Sequence, residues 1–213
     1  MEQPHIHMDT LTDADLARQA ALAMQNGDEL EGCRFVQGEL PEASGPLLEF
    51  TGCVLEKCTL RPTEIRRLCF VDVVLDHCDL SNMRFSGATF RRVRFHACRM
   101  TGVEMQDSVL MDVSFAQCGM EYAALAQCKL EHSSFTDCQL GEGLLNGLKL
   151  KDVTFTKCQM KELQVDDTPM KDIDLSACDI GGLRINSYDL RGMKVNALQA
   201  LELARRMGLV LVD

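Results

Sequence analysis

The chain has 213 residues, a formal net charge of −10 and 46% hydrophobic residues, and it contains no tryptophan. This length suits one domain. No stretch approaches 18 consecutive apolar residues, and the first 25 residues carry acidic groups without the apolar centre of a signal peptide. We therefore expect a cytoplasmic protein that neither crosses a membrane nor enters the Sec pathway.

Residues 1–27 form the first predicted unit, and most of it is a helix. Asp15 can cap the helix, Leu16 and Ala20 begin its apolar face, and Gly27 is a stop signal. A coil at the end of a repeat stack exposes its strand edges and its core. We therefore expect this helix to cap the repeat unit that follows it in the chain. A helix that binds a partner is the alternative.

Residues 28–195 have a five-residue period. Every fifth position from Leu30 to Val195 is apolar, 33 of 34 in all, and Gly45 is the exception. A helix repeats every 3.6 residues and a strand every two, so this period fits neither and predicts an internally repeated architecture. Pro41 and Pro46 flank Gly45, and a loop of five or ten residues there would leave the register unchanged.

A second series of apolar residues lies two positions before the first, and its side chains are mostly small. It predicts a narrow core filled by two inward positions per pentad. Ten of the eleven cysteines occupy this position, and Cys69 is the exception. We expect buried, reduced thiols that act as small hydrophobic side chains, although neighbouring cysteines lie close enough for a disulfide, and a metal or redox role is the alternative.

Residues 20 apart form columns of the same type. Seven cysteines occur at this spacing: Cys58, Cys78, Cys98, Cys118, Cys138, Cys158 and Cys178. Four phenylalanines do as well: Phe95, Phe115, Phe135 and Phe155. Four pentads per coil would give about 8.5 coils and a rod roughly 40 Å long.

The repeat unit resembles that of the pentapeptide-repeat family. Units that match closely are Cys-Asp-Leu-Ser-Asn from Cys78, Ala-Thr-Phe-Arg-Arg from Ala88 and Val-Thr-Phe-Thr-Lys from Val153. The resemblance covers about 80% of the chain. It implies an all-β solenoid, specifically a right-handed quadrilateral parallel β-helix in which each pentad makes one side.

Residues 196–213 form the third predicted unit. The inward small position becomes large at Leu183, Tyr188 and Met193, which indicates that the rod ends there. Asn196 can then cap a helix that reaches Met207, and a short apolar strand is predicted from Leu209. We expect a surface that binds a partner, because the unit would otherwise leave a sizeable apolar patch exposed. A cap on a monomer is the alternative. The predicted interface residues are Leu198, Leu201, Leu203, Met207, Leu209 and Leu211.

This C-terminal segment also resembles the Qnr and MfpA group of pentapeptide-repeat proteins. The resemblance implies a tail-to-tail homodimer that mimics DNA and binds a type II topoisomerase, DNA gyrase or topoisomerase IV, with possible roles in quinolone or toxin resistance. Many Qnr proteins have projecting loops tied to protection from quinolones, whereas the period here is unbroken after Phe50. A protein-interaction scaffold with another partner is the alternative function.

The distribution of charge limits the DNA-mimic hypothesis. Residues 1–49 contain ten acidic and two basic residues, whereas residues 50–213 contain 22 and 20. The acidic residues proposed to contact a partner are Asp28, Glu29, Glu31, Glu39, Glu42 and Glu49. Arginines from Arg84 to Arg99 form a basic stretch, but the negative total argues against direct nucleic-acid binding.

No catalytic motif is present, so we expect neither an enzyme nor a cofactor. There is no Gly-rich phosphate loop, no His-Glu-x-x-His and no Gly-x-Ser-x-Gly. His5 and His7 are interpreted as solvated residues. His77, His96 and His132 fall on different sides or coils and are interpreted as surface residues. We therefore predict no metal site.

Overall fold

The computed structural model describes residues 1–210 and shows a four-sided parallel β-helix between two α-helices. Each coil takes 20 residues, because the paired strands align in parallel with residues 20 positions apart, except for the first strand, Thr12–Asp13. The predicted fold class is confirmed. We number the four sides in chain order. Their central residues are, for example, Phe70 on side one, Leu75 on side two, Leu80 on side three and Phe85 on side four.

Sides one and two form one sheet, because three long strands continue around the corner between them. These strands are Leu68–Asp76, Thr89–His96 and Val109–Ala116. The corner residues of these strands, Asp72, Arg92 and Asp112, have left-handed φ angles of 55°, 52° and 55°. The other strands of side one are Leu30–Glu31, Leu48–Thr51, Lys129–Glu131 and Lys149–Lys151. The other strands of side two are Thr12–Asp13, Cys33–Val36, Val54–Glu56, Ser134–Thr136 and Thr154–Thr156.

Sides three and four have shorter strands. Side three contains Glu39–Leu40 and Thr59–Leu60, and single bridges continue it from Thr59 to Asp179. Side four contains Ser44–Gly45, Glu64–Ile65, Glu104–Gln106, Ala124–Ala126, Leu144–Asn146, Gln164–Asp166 and Arg184–Ile185. Ser44 pairs with Glu64, so the prolines of the first coil introduce no extra residues.

Two stacks of phenylalanine rings lie in the core, one behind side one and one behind side two. Phe95, Phe115, Phe135 and Phe155 lie face to face with ring centroids 4.8, 4.7 and 4.9 Å apart. Phe50, Phe70 and Phe90 form the second stack at 5.0 and 5.2 Å. Parallel register places identical side chains one strand spacing apart, and this distance suits aromatic stacking.

The cysteine column is buried, and all eleven cysteines of the chain are free thiols. The thiol of Cys98 donates to the carbonyl of Leu75, and the thiol of Cys138 donates to that of Phe115, both at 3.4 Å. Burial raises the pKa of Cys53 to about 12, so its thiol stays protonated at neutral pH. These cysteines therefore donate hydrogen bonds between coils as well as filling space.

The N-terminal helix α1, Leu16–Asn26, forms as predicted. The Asp15 side chain accepts from the Arg18 N–H at 2.7 Å, and Gly27 ends the helix with φ 76°. Leu16, Ala20 and Ala23 are buried against the first coil, so α1 caps the rod. The strand Thr12–Asp13, which pairs with Cys33 and Arg34, was not predicted.

The C-terminal end differs from the prediction at two places. Tyr188 does not face inward; it is 66% exposed, and Asp189 is buried instead. The reason is a local turn in which the Asn186 side chain accepts from the N–H groups of both residues at 2.8 Å. The helix α2, Ala197–Arg206, forms as predicted, but Leu209 and Val210 are not in a strand. Leu211 lies outside the described residues.

We expect the loss of stability caused by a phenylalanine substitution to depend on the position of that phenylalanine in the stack. Phe115→Leu should lower the free energy of unfolding by about 1 to 3 kcal/mol, because Phe115 has a stacked ring on both sides. Phe155→Leu should cost less, since Phe155 stacks on one ring only. Urea denaturation followed by circular dichroism measures both variants, and equal losses would contradict the proposed contribution of stacking.

Candidate protein-interaction surfaces

The C-terminal helix is fixed to the last coil by hydrogen bonds and leaves apolar side chains exposed. Asn196 and Gln199 form a capping box, and the Gln199 side chain donates to the carbonyls of Leu175 and Cys178 at 2.9 and 2.7 Å. Of the predicted interface residues, Leu203 packs against the core and is part of the cap. Four others are exposed: Leu198 (78%), Leu201, Met207 and Leu209.

The predicted acidic residues of the first coil do not form one patch. Glu29, Glu31 and Glu49 lie on side one, whereas Glu39 and Glu42 lie on the opposite side three. Arg61 binds Glu39 at 3.0 Å. Counting charge along the chain had grouped residues that the coil separates.

The arginines from Arg84 to Arg99 are also separated by the coil. Arg84 lies on side four, Arg91 on side one, Arg94 on side two and Arg99 on side three. These four residues therefore surround the rod and do not form a basic patch. Nucleic acid would meet only one or two of them at a time, which further weakens the case for direct nucleic-acid binding.

Side three is the most acidic side. Its acidic residues are Glu39, Glu42, Asp79, Glu121, Glu142, Glu162 and Asp179, and its basic residues are Arg61, Arg99 and Lys161. The net charge of −4 extends over seven coils, which gives one net charge per about 8 Å, compared with one per about 1.7 Å in duplex DNA. Side three is thus a dilute negative surface that reaches the C-terminal end, where Glu162 and Asp179 pair with Arg184 and Lys161.

An N-terminal arm, residues 1–11, lies along the corner between sides one and two. Its N–H groups donate to carboxylates of the rod, Glu2 to Asp112 at 2.7 Å and His5 to Asp72 at 2.9 Å. Arg92 holds Asp72 through two further hydrogen bonds of 2.6 and 2.5 Å. This contact was not predicted, although the 20-residue spacing of Asp72, Arg92 and Asp112 is visible in the sequence.

The arm depends on the charge of Asp72. Burial raises the pKa of Asp72, but the hydrogen bonds from Arg92 and His5 outweigh this effect, so its pKa lies below the usual value. A carboxyl group with a lowered pKa stabilises the folded state above its unfolded pKa, and this contribution is lost as the pH falls through the folded pKa.

Asp76 accepts hydrogen bonds from two histidines. Its two oxygens lie 2.9 Å from Nδ1 of His77 and 2.6 Å from Nδ1 of His96. Burial raises the pKa of Asp76, and the two histidine hydrogen bonds lower it further than burial raises it. His77 and His96 lie at the surface of different coils, as interpreted from the sequence, but their meeting at Asp76 on side two was not predicted. His132 lies apart from them on the corner after side one, near Asp112 and Asp152.

The side-two groove beside Asp76 is shallow. It encloses about 360 Å³ and is lined by Met8 of the arm together with Val54, Val74, Arg94 and His96.

Among the described residues, no helix is both long enough and apolar enough to cross a membrane.

These features define a class of protein: a four-sided parallel β-solenoid that presents charged columns around a packed core. The family model described as "pentapeptide repeat region" matches residues 48–125 and 68–145. Residues 48–145 of the chain are therefore a pentapeptide-repeat region, and the recognised repeat and the fold class, a right-handed parallel β-helix, are confirmed. No curated protein matches the sequence significantly.

Three solved structures illustrate the similarity. A trypsin-treated QnrB1, described as a plasmid-mediated fluoroquinolone resistance protein, has 20% identity and a TM-score of 0.33, with 87% of this chain and 91% of that chain covered. HetL from the cyanobacterium Nostoc, described as involved in regulating heterocyst differentiation, has 12% identity, coverage of 79% and 83%, and a TM-score of 0.27. Rfr23 from Cyanothece has 9% identity, coverage of 84% and 99%, and a TM-score of 0.20.

We expect Asp72→Asn to release the arm. Hydrogen exchange of a peptide covering residues 1–11 should become faster, because the neutral amide accepts the His5 N–H less strongly and no longer pairs with Arg92. The control is Asp152→Asn, which lies in the same corner column, is exposed and is not in contact with the arm. The difference in thermal stability between wild type and Asp72→Asn should shrink as the pH falls from about 4 through the lowered folded pKa of Asp72, since the wild-type carboxylate becomes protonated over that range. Equal exchange in all three proteins would contradict the role of Asp72.

Proposed function

We propose that this protein acts by binding and not by catalysis, as a cytoplasmic homodimer that modulates a type II topoisomerase such as DNA gyrase. The observation that carries the proposal is the continuity of acidic side three with the exposed apolar C-terminal end. Dimerisation through that end would join two rods into one of roughly 80 Å and bring two acidic sides into one assembly. The similarity of the C-terminal segment to the Qnr and MfpA group supports the same arrangement.

The dilute charge of side three sets limits on how such binding works. With about one fifth of the linear charge density of DNA, the rod cannot reproduce the electrostatic field of a duplex. Binding in a DNA channel would then depend on the width of the rod and on individual pairs, such as Glu121 or Glu142 with lysines and arginines of the enzyme, because Glu162 is already paired with Arg184 and Arg206. Because the described register contains no projecting loop, we propose modulation of the enzyme itself and not a loop-based displacement of a drug.

The activity test measures supercoiling by purified gyrase with and without the protein, and with and without a quinolone. We expect a molar excess of protein to change supercoiling. The double variant Glu121→Lys and Glu142→Lys should lose this effect, and Asp137→Lys, on side two, should retain it. No change in supercoiling at any excess would overturn the proposal.

The dimer test compares two exposed leucines. The wild type should have twice the 23.7 kDa mass of one chain by size exclusion with light scattering. Leu198→Glu should be a monomer, because a carboxylate in the interface would be buried without a partner. Leu22→Glu, at an exposed position of α1, should remain a dimer. A wild-type mass of one chain would show that the apolar end is only a cap.

A scaffold for another protein is the second candidate, and the charge of side one favours it. The N-terminal half of this side carries Glu29, Glu31 and Glu49, whereas its C-terminal half carries Lys129, Lys149, Lys151 and Lys171, two of which pair with Glu131. A side with opposite charge at its two ends suits a partner with the complementary pattern. Affinity capture that recovers only topoisomerase subunits would count against this candidate.

A further inference from the structure

We propose that Asp76, His77 and His96 form a binding site for a divalent transition-metal ion of the zinc class. One oxygen or nitrogen from each residue lies within 4.8 Å of the corresponding atoms of the other two. The three side chains are partly exposed, so an ion can reach them from solvent. This proposal is independent of the topoisomerase hypothesis.

The fold fixes the relative positions of the three ligands. Asp76 and His96 are paired directly across neighbouring strands of side two. His77 follows Asp76 at the corner, where its left-handed φ of 54° turns the chain. The backbone N–H of His77 donates to the carbonyl of His96 at 2.9 Å, which ties the two histidine backbones together. Because the ligands come from a rigid sheet, little ordering is needed when the ion binds.

The ligand types select the ion. Two imidazoles and one carboxylate suit zinc, cobalt and nickel, whereas calcium and magnesium prefer a set made only of oxygen ligands. Three protein ligands leave at least one coordination position for water or for a group of a partner. The two Nδ1 atoms already lie 2.9 and 2.6 Å from the carboxylate oxygens, so small rotations of the side chains would open the space that an ion requires.

The surrounding charges have opposite effects on a cation. Arg94 lines the same groove, and its positive charge disfavours the binding of a cation. Glu56, which pairs with Asp76 one coil earlier, would favour it, but Arg34 holds its carboxylate through two hydrogen bonds of 3.0 Å. The site therefore depends on direct ligation by the imidazoles and not on a negative field.

The test titrates the full-length protein, stripped of metal, with cobalt(II), and follows the visible absorption of the bound ion. We expect one cobalt ion to bind per chain, to saturate, and to be displaced by zinc. Its visible absorption should be that of a four- or five-coordinate ion with nitrogen and oxygen ligands. His96→Gln and His77→Gln should each weaken binding by about 10- to 100-fold or more, since even residues that only orient metal ligands have effects of this size. Circular dichroism and thermal denaturation of the metal-free variants check that both still fold.

Two matched variants serve as controls. His132→Gln removes a half-exposed histidine that also lies near two carboxylates but has no second imidazole beside it, and it should bind cobalt like the wild type. His5→Gln removes one of the two histidines of the arm, and this variant should also bind cobalt like the wild type. Absence of saturable binding would overturn the proposal, and so would binding that both His77→Gln and His96→Gln leave unchanged in folded protein.

Discussion

The whole structure depends on the stacking of equivalent residues one coil apart. A narrow rod has no second layer that can compensate for a misfit, so each inward side chain must fit the residues 20 positions before and after it. The phenylalanine stacks show this requirement, with planes within 8° of parallel along the column from Phe95 to Phe155. The same register pairs every strand in parallel, and the helices at the ends cover edges that would otherwise remain open.

Residues at the small inward position fill space, and those with a thiol or hydroxyl also donate a hydrogen bond. Cysteine does both, because its thiol reaches a carbonyl 23 residues earlier while its volume suits the narrow core. Ser108 and Thr168 occupy equivalent positions, and each hydroxyl oxygen accepts a backbone N–H while its O–H donates to a carbonyl. The abundance of cysteine therefore follows from packing and hydrogen bonding and needs no redox chemistry.

The sequence was sufficient for the fold because its period is carried by residues that face inward. The polar residues obey the same 20-residue spacing, but their meaning depends on which side they occupy. Arg84 to Arg99 are close in sequence and lie on four different sides, whereas Asp76 and His96 are 20 apart and touch. The position of the N-terminal arm could not be predicted, because residues 1–11 have no period and their contacts with Asp72 and Asp112 exist only once the corner is formed.

Function in such a rod must be interpreted by side and by column. A net charge of −10 suggests a strong negative field, yet ion pairs such as Arg34 with Glu56 and Arg184 with Glu162 neutralise much of it locally. Pairs of this kind at a surface contribute little to stability, but they cancel the field that a DNA mimic would require. Recognition by this protein therefore has to come from short-range complementarity. The strongest such features are the acidic column of side three, the histidine pair of side two and the apolar end around Leu198.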